Sequence, residues 1–282
     1  MAKEQMKEAI SPVIIIRPPS RWVPLNFKEL WEYRELLYFF IWRDIKVRYK
    51  QTVIGAAWAI IQPFMTMVVF SLFFGKLAKI PSHGIPYPIF YYSALLPWTY
   101  FSGALTNITN AVVSYQGVIK KVYFPRMILP LSAAMSGLVD FGLAFIVLLG
   151  MMVYYSIIPS WNVLLLPGFL LLALITALGV GLWLSALNAI YRDVRYAVPF
   201  LIQLWMFASP VAYPSTLVPQ KWQSLYGLNP MTGVIEGFRW VLTGQGQPPT
   251  AMLFVSVAVV ILVLIGGLFY FRRMEGVMAD LV

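Results

Sequence analysis

Charged side chains are absent from four long intervals of this chain. No Lys, Arg, Asp or Glu occurs in residues 51–75, 80–119, 141–191 or 240–271 of the 282-residue sequence. A helix that crosses the hydrocarbon core of a bilayer needs about 20 apolar residues. Each interval therefore holds at least one crossing, and 141–191 holds two. Hydrophobic residues make up 60% of the chain, against roughly 45–50% in soluble domains. A soluble fold of this composition would lack the polar surface to cover itself. The expectation is an all-α integral membrane protein with six transmembrane helices, near 54–75, 88–113, 128–157, 163–189, 196–213 and 250–271.

The distribution of Lys and Arg sets an orientation. Residues 1–53 carry ten of them, the second connection has Lys120, Lys121 and Arg126, the fourth has Arg192 and Arg195, and the C-terminal tail has Arg272 and Arg273. These place 17 on one side, against four (Lys76, Lys79, Lys221 and Arg239) on the other. Both termini are expected on the cytoplasmic face, which an even number of spans allows. The net charge of +10 is explained by this flanking, so nucleic acid is not an expected partner. Val13–Ile16 is too short, and too closely bracketed by Pro12, Pro18 and Pro19, to be a cleavable signal.

Two segments depart from a plain span-and-loop pattern. From Leu25 to Lys50, apolar Leu30, Trp31, Leu37, Tyr38, Phe40 and Ile41 alternate with charges, and the pattern predicts an amphipathic helix in the membrane interface. Asn26 is its expected cap, with Glu29 at capping-box spacing. Residues 1–53 form the N-terminal segment and 54–282 the membrane domain. The outer connection at 214–249 is broken by Pro214, Pro219, Pro230, Pro248 and Pro249 and by five glycines. Between these breakers Trp222–Leu228 and Met231–Leu242 are too short to span. They read as two short re-entrant helices before the last span, with a pair of surface helices outside the bilayer as the alternative, and Glu236 and Arg239 are spaced to pair as an outer gate.

Catalytic chemistry finds little foothold. The chain has no Cys and one His, His83, in a Pro- and Gly-rich loop. A lone imidazole without thiols or carboxylates is a poor metal site. Gly75-Lys76 lacks the rest of a phosphate-binding loop, and no G-x-S-x-G elbow occurs. A membrane-embedded glycosyl- or acyltransferase would require clustered acids or a histidine site at one interface. Asp140 is the one acid well inside an expected span, and such a group is costly and a functional candidate. A proton-coupled carrier ordinarily needs more than one. The stronger reading of Asp140 is a bond between helices, with gating as the alternative. No catalytic residue, metal or bound cofactor is expected, and uphill transport would draw its energy from another subunit.

Aromatics form 16% of the chain, and Trp and Tyr are expected at membrane interfaces. The cluster Tyr91 to Phe101 extends too deep for that use alone. Rigid amphipathic rings can stack on sugar faces, so a conduit lined this way could pass a sugar polymer. For any single ring taken alone, packing or a lipid-facing role is the favoured reading.

Short ordered motifs add to this. Trp42-Arg43-Asp44-Ile45-Lys46-Val47-Arg48-Tyr49-Lys50-Gln51-Thr52 leads into Gly55, Trp58 and Gln62-Pro63. Leu95-Leu96-Pro97-Trp98, Lys121-Val122-Tyr123-Phe124-Pro125-Arg126 and Asn188-Ala189-Ile190-Tyr191-Arg192-Asp193-Val194 follow. Ser209-Pro210-Val211-Ala212-Tyr213 and Leu228-Asn229-Pro230-Met231 with Glu236-Gly237-Phe238-Arg239 complete the series. From about 25 to 275 the chain resembles ABC-2 type polysaccharide exporter permeases, the family that serves O-antigen of lipopolysaccharide, capsule and teichoic acid. The resemblance implies a homodimer in the bacterial inner membrane with two copies of an ABC ATPase subunit, which would use ATP and Mg. It implies export of a lipid-linked glycan, most simply an O-antigen-type polysaccharide, with a small lipid or drug as an alternative cargo. Trp58, Tyr91, Trp98, Tyr100, Phe101, Trp205 and Phe207 would line the conduit. Arg43, Lys46, Arg48 and Lys50 would meet lipid phosphates. Lys120, Lys121, Tyr123, Pro125, Arg126, Arg192 and Asp193 would couple to the ATPase.

Overall fold

The computed structural model describes residues 27–50, 55–159, 161–245, 248 and 250–281. Asn26, Gln51, Thr52, Gly246 and Pro249, which figured in the expectations above, lie outside them, as does the segment before Phe27. The described residues form helices and turns without strands. The elements are α1 (Phe27–Glu32), α2 (Arg34–Lys50), α3 (Ala57–Leu77), α4 (Tyr87–Ser114), α5 (Gln116–Ile119) and α6 (Ile128–Tyr154). They continue with α7 (Leu166–Ile190), α8 (Val194–Phe207), α9 (Gln220–Tyr226), α10 (Pro230–Thr243) and α11 (Thr250–Leu281).

The charge-free intervals become the long helices. α3, α6, α7 with its leading turn from Trp161, and Met252–Gly276 of α11 are four helices long and apolar enough to cross a membrane. The other two expected spans differ. α4 has 28 residues, or about 42 Å at 1.5 Å per residue, but Tyr, Ser, Thr and Asn along it dilute its apolar character. α8 has 14 residues, about 21 Å, against a hydrocarbon core of about 30 Å. It stops because Pro210 follows three residues later and cannot continue a helix. Asn229 caps that stop: its carboxamide donates to the Ala208 carbonyl at 3.1 Å and to the Ser209 hydroxyl at 2.9 Å.

α4 is the central post. Ile89 to Trp98 is buried without a gap, with α6, α7 and α10 against it. Two tyrosine hydroxyls fix its register on α6, Tyr92 donating to the Ala144 carbonyl and Tyr100 to the Ala134 carbonyl, each at 3.2 Å. α7 and α11 approach most closely, at Gly179 and Gly267. A Cβ on Gly267 would lie 2.6 Å from the Gly179 carbonyl oxygen. Small residues allow such backbone approach where no hydrophobic force drives helices together. Trp183 stacks on Tyr270 at 4.7 Å just beyond that crossing.

α10 is almost wholly buried, enclosed by α4, α7 and α11 near their N-terminal ends. A Cβ on Gly237 would sit 2.1 Å from the Phe169 ring, and one on Gly233 would meet Ser256 at 2.8 Å. α9 behaves differently, with Trp222 and Leu225 exposed. The pair of short outer helices is therefore one helix inside the bundle and one on its surface.

The segment expected at the membrane interface runs as α1 and α2, joined through Tyr33 by continuing helical backbone bonds. Its apolar residues lie on both faces rather than on one stripe. Phe40 is buried against Tyr115 and Phe124, with ring centroids at 5.1 and 5.7 Å, while Trp31, Tyr38, Phe39 and Trp42 are exposed. Farther along, α2 leans on α6. The Arg48 guanidinium and the Tyr49 hydroxyl both donate to the Asp140 carboxylate. The acid inside α6 is thus a helix-to-helix clamp, as the interhelix reading of Asp140 expects, and its cation comes from α2.

Two outcomes test this packing. Gly237→Ala overfills the α10–α7 contact and should cost about 1–3 kcal/mol, lowering the thermal midpoint of the detergent-purified protein; Phe169→Leu in the same chain should recover part of it. Asp140→Asn removes the carboxylate from Arg48 and should cost about 1–2 kcal/mol, between exposed and buried pairs. The double variant R48Q/D140N should be more stable than D140N alone in the same thermal assay.

Candidate functional site

A cleft of about 620 Å³ lies between the end of α2, the start of α3 and the middles of α4 and α6. Local sequence explains it. Gly55 adopts a positive φ of 47° at the turn into α3, a conformation cheap only for glycine. Gly103 leaves the α4 wall open, with nothing within 4 Å of where its Cβ would be. Pro63 brings no N–H to the Ala59 carbonyl, and both residues face the cleft.

Side chains of several kinds line it, with the Thr99 and Ser102 hydroxyls of α4 among them. Trp58, Tyr100 and Phe141 supply rings, with Tyr100 and Phe141 edge to face at 6.0 Å. Gln62 and Asn107 supply carboxamides. Arg48, Tyr49 and Asp140 form the clamp at one end, where the Arg48 and Asp140 side chains are 32% and 31% exposed.

The residues expected in a conduit divide. Tyr91, Trp98 and Phe101 are buried in the chain's own core: Tyr91 packs on Phe70 and Phe90, and Phe101 on Trp98 and Trp205. Trp205 also donates to the Asn229 side chain at 2.8 Å. Tyr100 is likewise buried, at 5% exposure, with its ring in the cleft wall; Trp58, 59% exposed, lines the cleft, and Phe207 is exposed. Tyr49, Gln62 and Asn107 were given no role from the sequence. The first two lie inside the motif that opens the family resemblance, and that was the available signal.

The residues expected at lipid phosphates divide as well. Arg48 is engaged by Asp140, and Arg43 lies over the Tyr115 ring at 4.6 Å. Lys46 and Lys50 are exposed. Beside them Asp44 accepts from the Tyr115 hydroxyl. Burial pushes its carboxyl up, opposed by that bond and by Arg43 and Arg48.

At one end of the bundle the coupling candidates meet the last helix. The Arg126 backbone N–H donates to the Glu275 carboxylate at 3.1 Å, and its guanidinium to the Glu275 carbonyl. Glu29 joins this group, 3.7 Å from Arg272 and 3.4 Å from the Tyr123 hydroxyl. Lys120, Lys121 and Tyr123 stay exposed while Pro125 is buried, and Arg192 and Asp193 are exposed on the α7–α8 turn. At the other end Glu236 and Arg239 pair at 2.9 Å, almost out of solvent. Glu236 also accepts from the Ser215 N–H at 2.8 Å, and Arg239 donates to the Pro210 carbonyl at 2.9 Å and covers the Phe90 ring at 3.9 Å. His83 lies 3.0 Å from the Thr216 hydroxyl. The pair fastens α10 to the 209–215 turn and to α4.

Comparison with known proteins places this geometry. The O-antigen export system permease protein RfbA of Myxococcus xanthus is 32% identical over 253 residues, covering 88% of this chain and 96% of that one. An O-antigen export system permease protein RfbA of Klebsiella pneumoniae is 29% identical over 202 residues, covering 70% and 76%. The polysialic acid transport protein KpsM of Escherichia coli is 22% identical over 246 residues, covering 84% and 93%. Residues 35–243, well over half of the chain, match the family described as ABC-2 type transporter. With its membrane-length helices and this match, the chain belongs to the ABC-2 type transporter family.

Proposed function

We propose that this chain is the permease subunit of an ABC exporter that moves a lipid-linked polysaccharide, an O-antigen-type glycan, across the bacterial inner membrane. The observation that carries the reading is the near end-to-end match to a permease named for O-antigen export, 96% of whose length is covered.

In this reading six segments cross: α3, α4, α6, α7, α8 with the turn after it, and α11. Both termini lie in the cytoplasm, which the strong bias of Lys and Arg toward one side supports. Two copies of the chain form the conduit, and two ATPase subunits bind ATP and Mg. Their docking face comprises Lys120, Lys121, Tyr123, Arg192 and Asp193. The bonds from Glu275 to Arg126 and from Glu29 to Arg272 support a rigid mount, through which movement of the 120–126 connection is passed to α1 and α11. Lipid phosphates meet the exposed Lys46 and Lys50, with Arg43 beside them. Trp58, Tyr100 and Phe207 offer rings to the glycan, while Tyr91, Trp98 and Phe101 hold the wall behind them. The Glu236–Arg239 pair keeps the outer helices closed until α10 shifts.

Two outcomes check this. Cells lacking the chain should lose surface glycan and accumulate its lipid-linked form inside, and re-expression should reverse both; unchanged surface glycan would contradict the proposal. The purified permease alone should hydrolyse no ATP, and hydrolysis should appear only with the ATPase subunit bound; turnover by the permease by itself would refute the division of labour.

A further inference from the structure

We infer that the cleft beside the Arg48–Asp140 clamp is a saccharide-ring subsite, taking a short stretch of the glycan and refusing its lipid-linked phosphates. The inference rests on the export reading and deepens it. Its volume of about 620 Å³ falls within the range of about 300–1,000 Å³ typical of small-molecule sites. Three features of the lining select the ligand.

The first is the ring surface. Trp58 is 59% exposed and lines the cleft, on a helix held in the bundle by buried Met67 and Phe70. A large rigid indole face is therefore presented at the cleft, and such a face is suited to flat apolar patches that carry polar edges. The second is the pair of carboxamides. Gln62 on α3 and Asn107 on α4 each carry both donors and an acceptor, which matches hydroxyl groups that likewise donate and accept.

The third is charge. Arg48 is the cation of the cleft, and it is closed by Asp140, to which Tyr49 also donates. An anion entering here would have to displace Asp140 from the guanidinium and strand a partly buried carboxylate, which is costly. A neutral polyol meets no such penalty. The unneutralised cations Lys46 and Lys50 lie exposed on α2, so the phosphates have a separate place to rest.

Glycine positions provide the test. A side chain at Gly103 would enter the cleft without meeting an atom within 4 Å, and Gly142 on α6 is equally open but does not line it. Gly103→Leu and Gly142→Leu add the same bulk, one inside and one outside the site. The full chain with its ATPase, in lipid nanodiscs, is titrated calorimetrically with lipid-free oligosaccharide released from the host's surface glycan, and separately with inorganic pyrophosphate. The wild type and G142L should bind the oligosaccharide alike. G103L should bind it at least tenfold more weakly, and Gln62→Leu, which keeps the volume and removes the carboxamide, at least fivefold more weakly. Pyrophosphate should not compete. Equal oligosaccharide binding by G103L or Q62L, competition by pyrophosphate, or no oligosaccharide binding by the wild type would overturn the subsite. The export reading is judged apart from it: if cells lacking the chain lose surface glycan while any of these results is found, the subsite alone is wrong.

Discussion

A carboxylate set well inside an apolar helix persists only if something reaches in to neutralise it. In this chain the neutralising groups come from outside the helix that carries the acid. Arg48 and Tyr49, at the end of α2, close on Asp140 in α6. That contact joins the end of α2 to the bundle, beside the cleft at the start of α3. The bonded groups Arg48, Tyr49 and Asp140 also form one end of the cleft lining. A second pair, Glu236 with Arg239, does comparable work at the opposite end, where it ties α10 to α4 and to the turn after α8.

Between these pairs the bundle relies on shape. Gly179 and Gly267 let α7 and α11 touch, Gly181 admits Ile108 of α4, and Gly237 admits Phe169 of α7. Tyrosine hydroxyls on α4 bond to carbonyls of α6 and so fix register where lipid offers no competing water. Most hydroxyls along α4, those of Tyr92, Ser93, Thr99, Tyr100, Ser102, Thr106 and Thr109, donate to backbone carbonyls, which helps a helix of modest hydropathy to occupy the centre of the bundle.

The charge-free intervals made the long helices legible, because a bilayer forbids unpaired charge and the intervals have the length of a crossing. The same signal identified Asp140 as the exception. It said nothing of Arg48's partner: in a sequence, a cation in a basic segment looks alike whether it faces phosphate or folds back onto an acid 92 residues away. The aromatics were similarly ambiguous. Tyr91 and Trp58 carry the same chemistry, but α4 is surrounded and the first turns of α3 are not, so one ring is core and the other is surface. Hydropathy cannot tell these apart, since lipid and packed interior are equally apolar. The shortness of α8 was readable in Ser209-Pro210, where a helix must end, but the carboxamide of Asn229 that caps it comes from 20 residues away. The Glu29–Arg272 and Arg126–Glu275 contacts join both ends of the chain, and no local pattern announces them.

The account depends on one arrangement across the bilayer: the 120–126 connection and the α7–α8 turn share the face of the ATPase, and the α3–α4 loop and α9 share the opposite one. The chain contains no cysteine, so single cysteines can be introduced without background. Labelling of Lys121→Cys, Arg192→Cys, His83→Cys and Lys221→Cys with a membrane-impermeant maleimide on intact spheroplasts measures it directly. Positions 83 and 221 should react from outside, and 121 and 192 only after the membrane is opened. Reaction of 121 or 192 on intact spheroplasts, or protection of 83, would contradict the orientation on which both the coupling surface and the export direction stand.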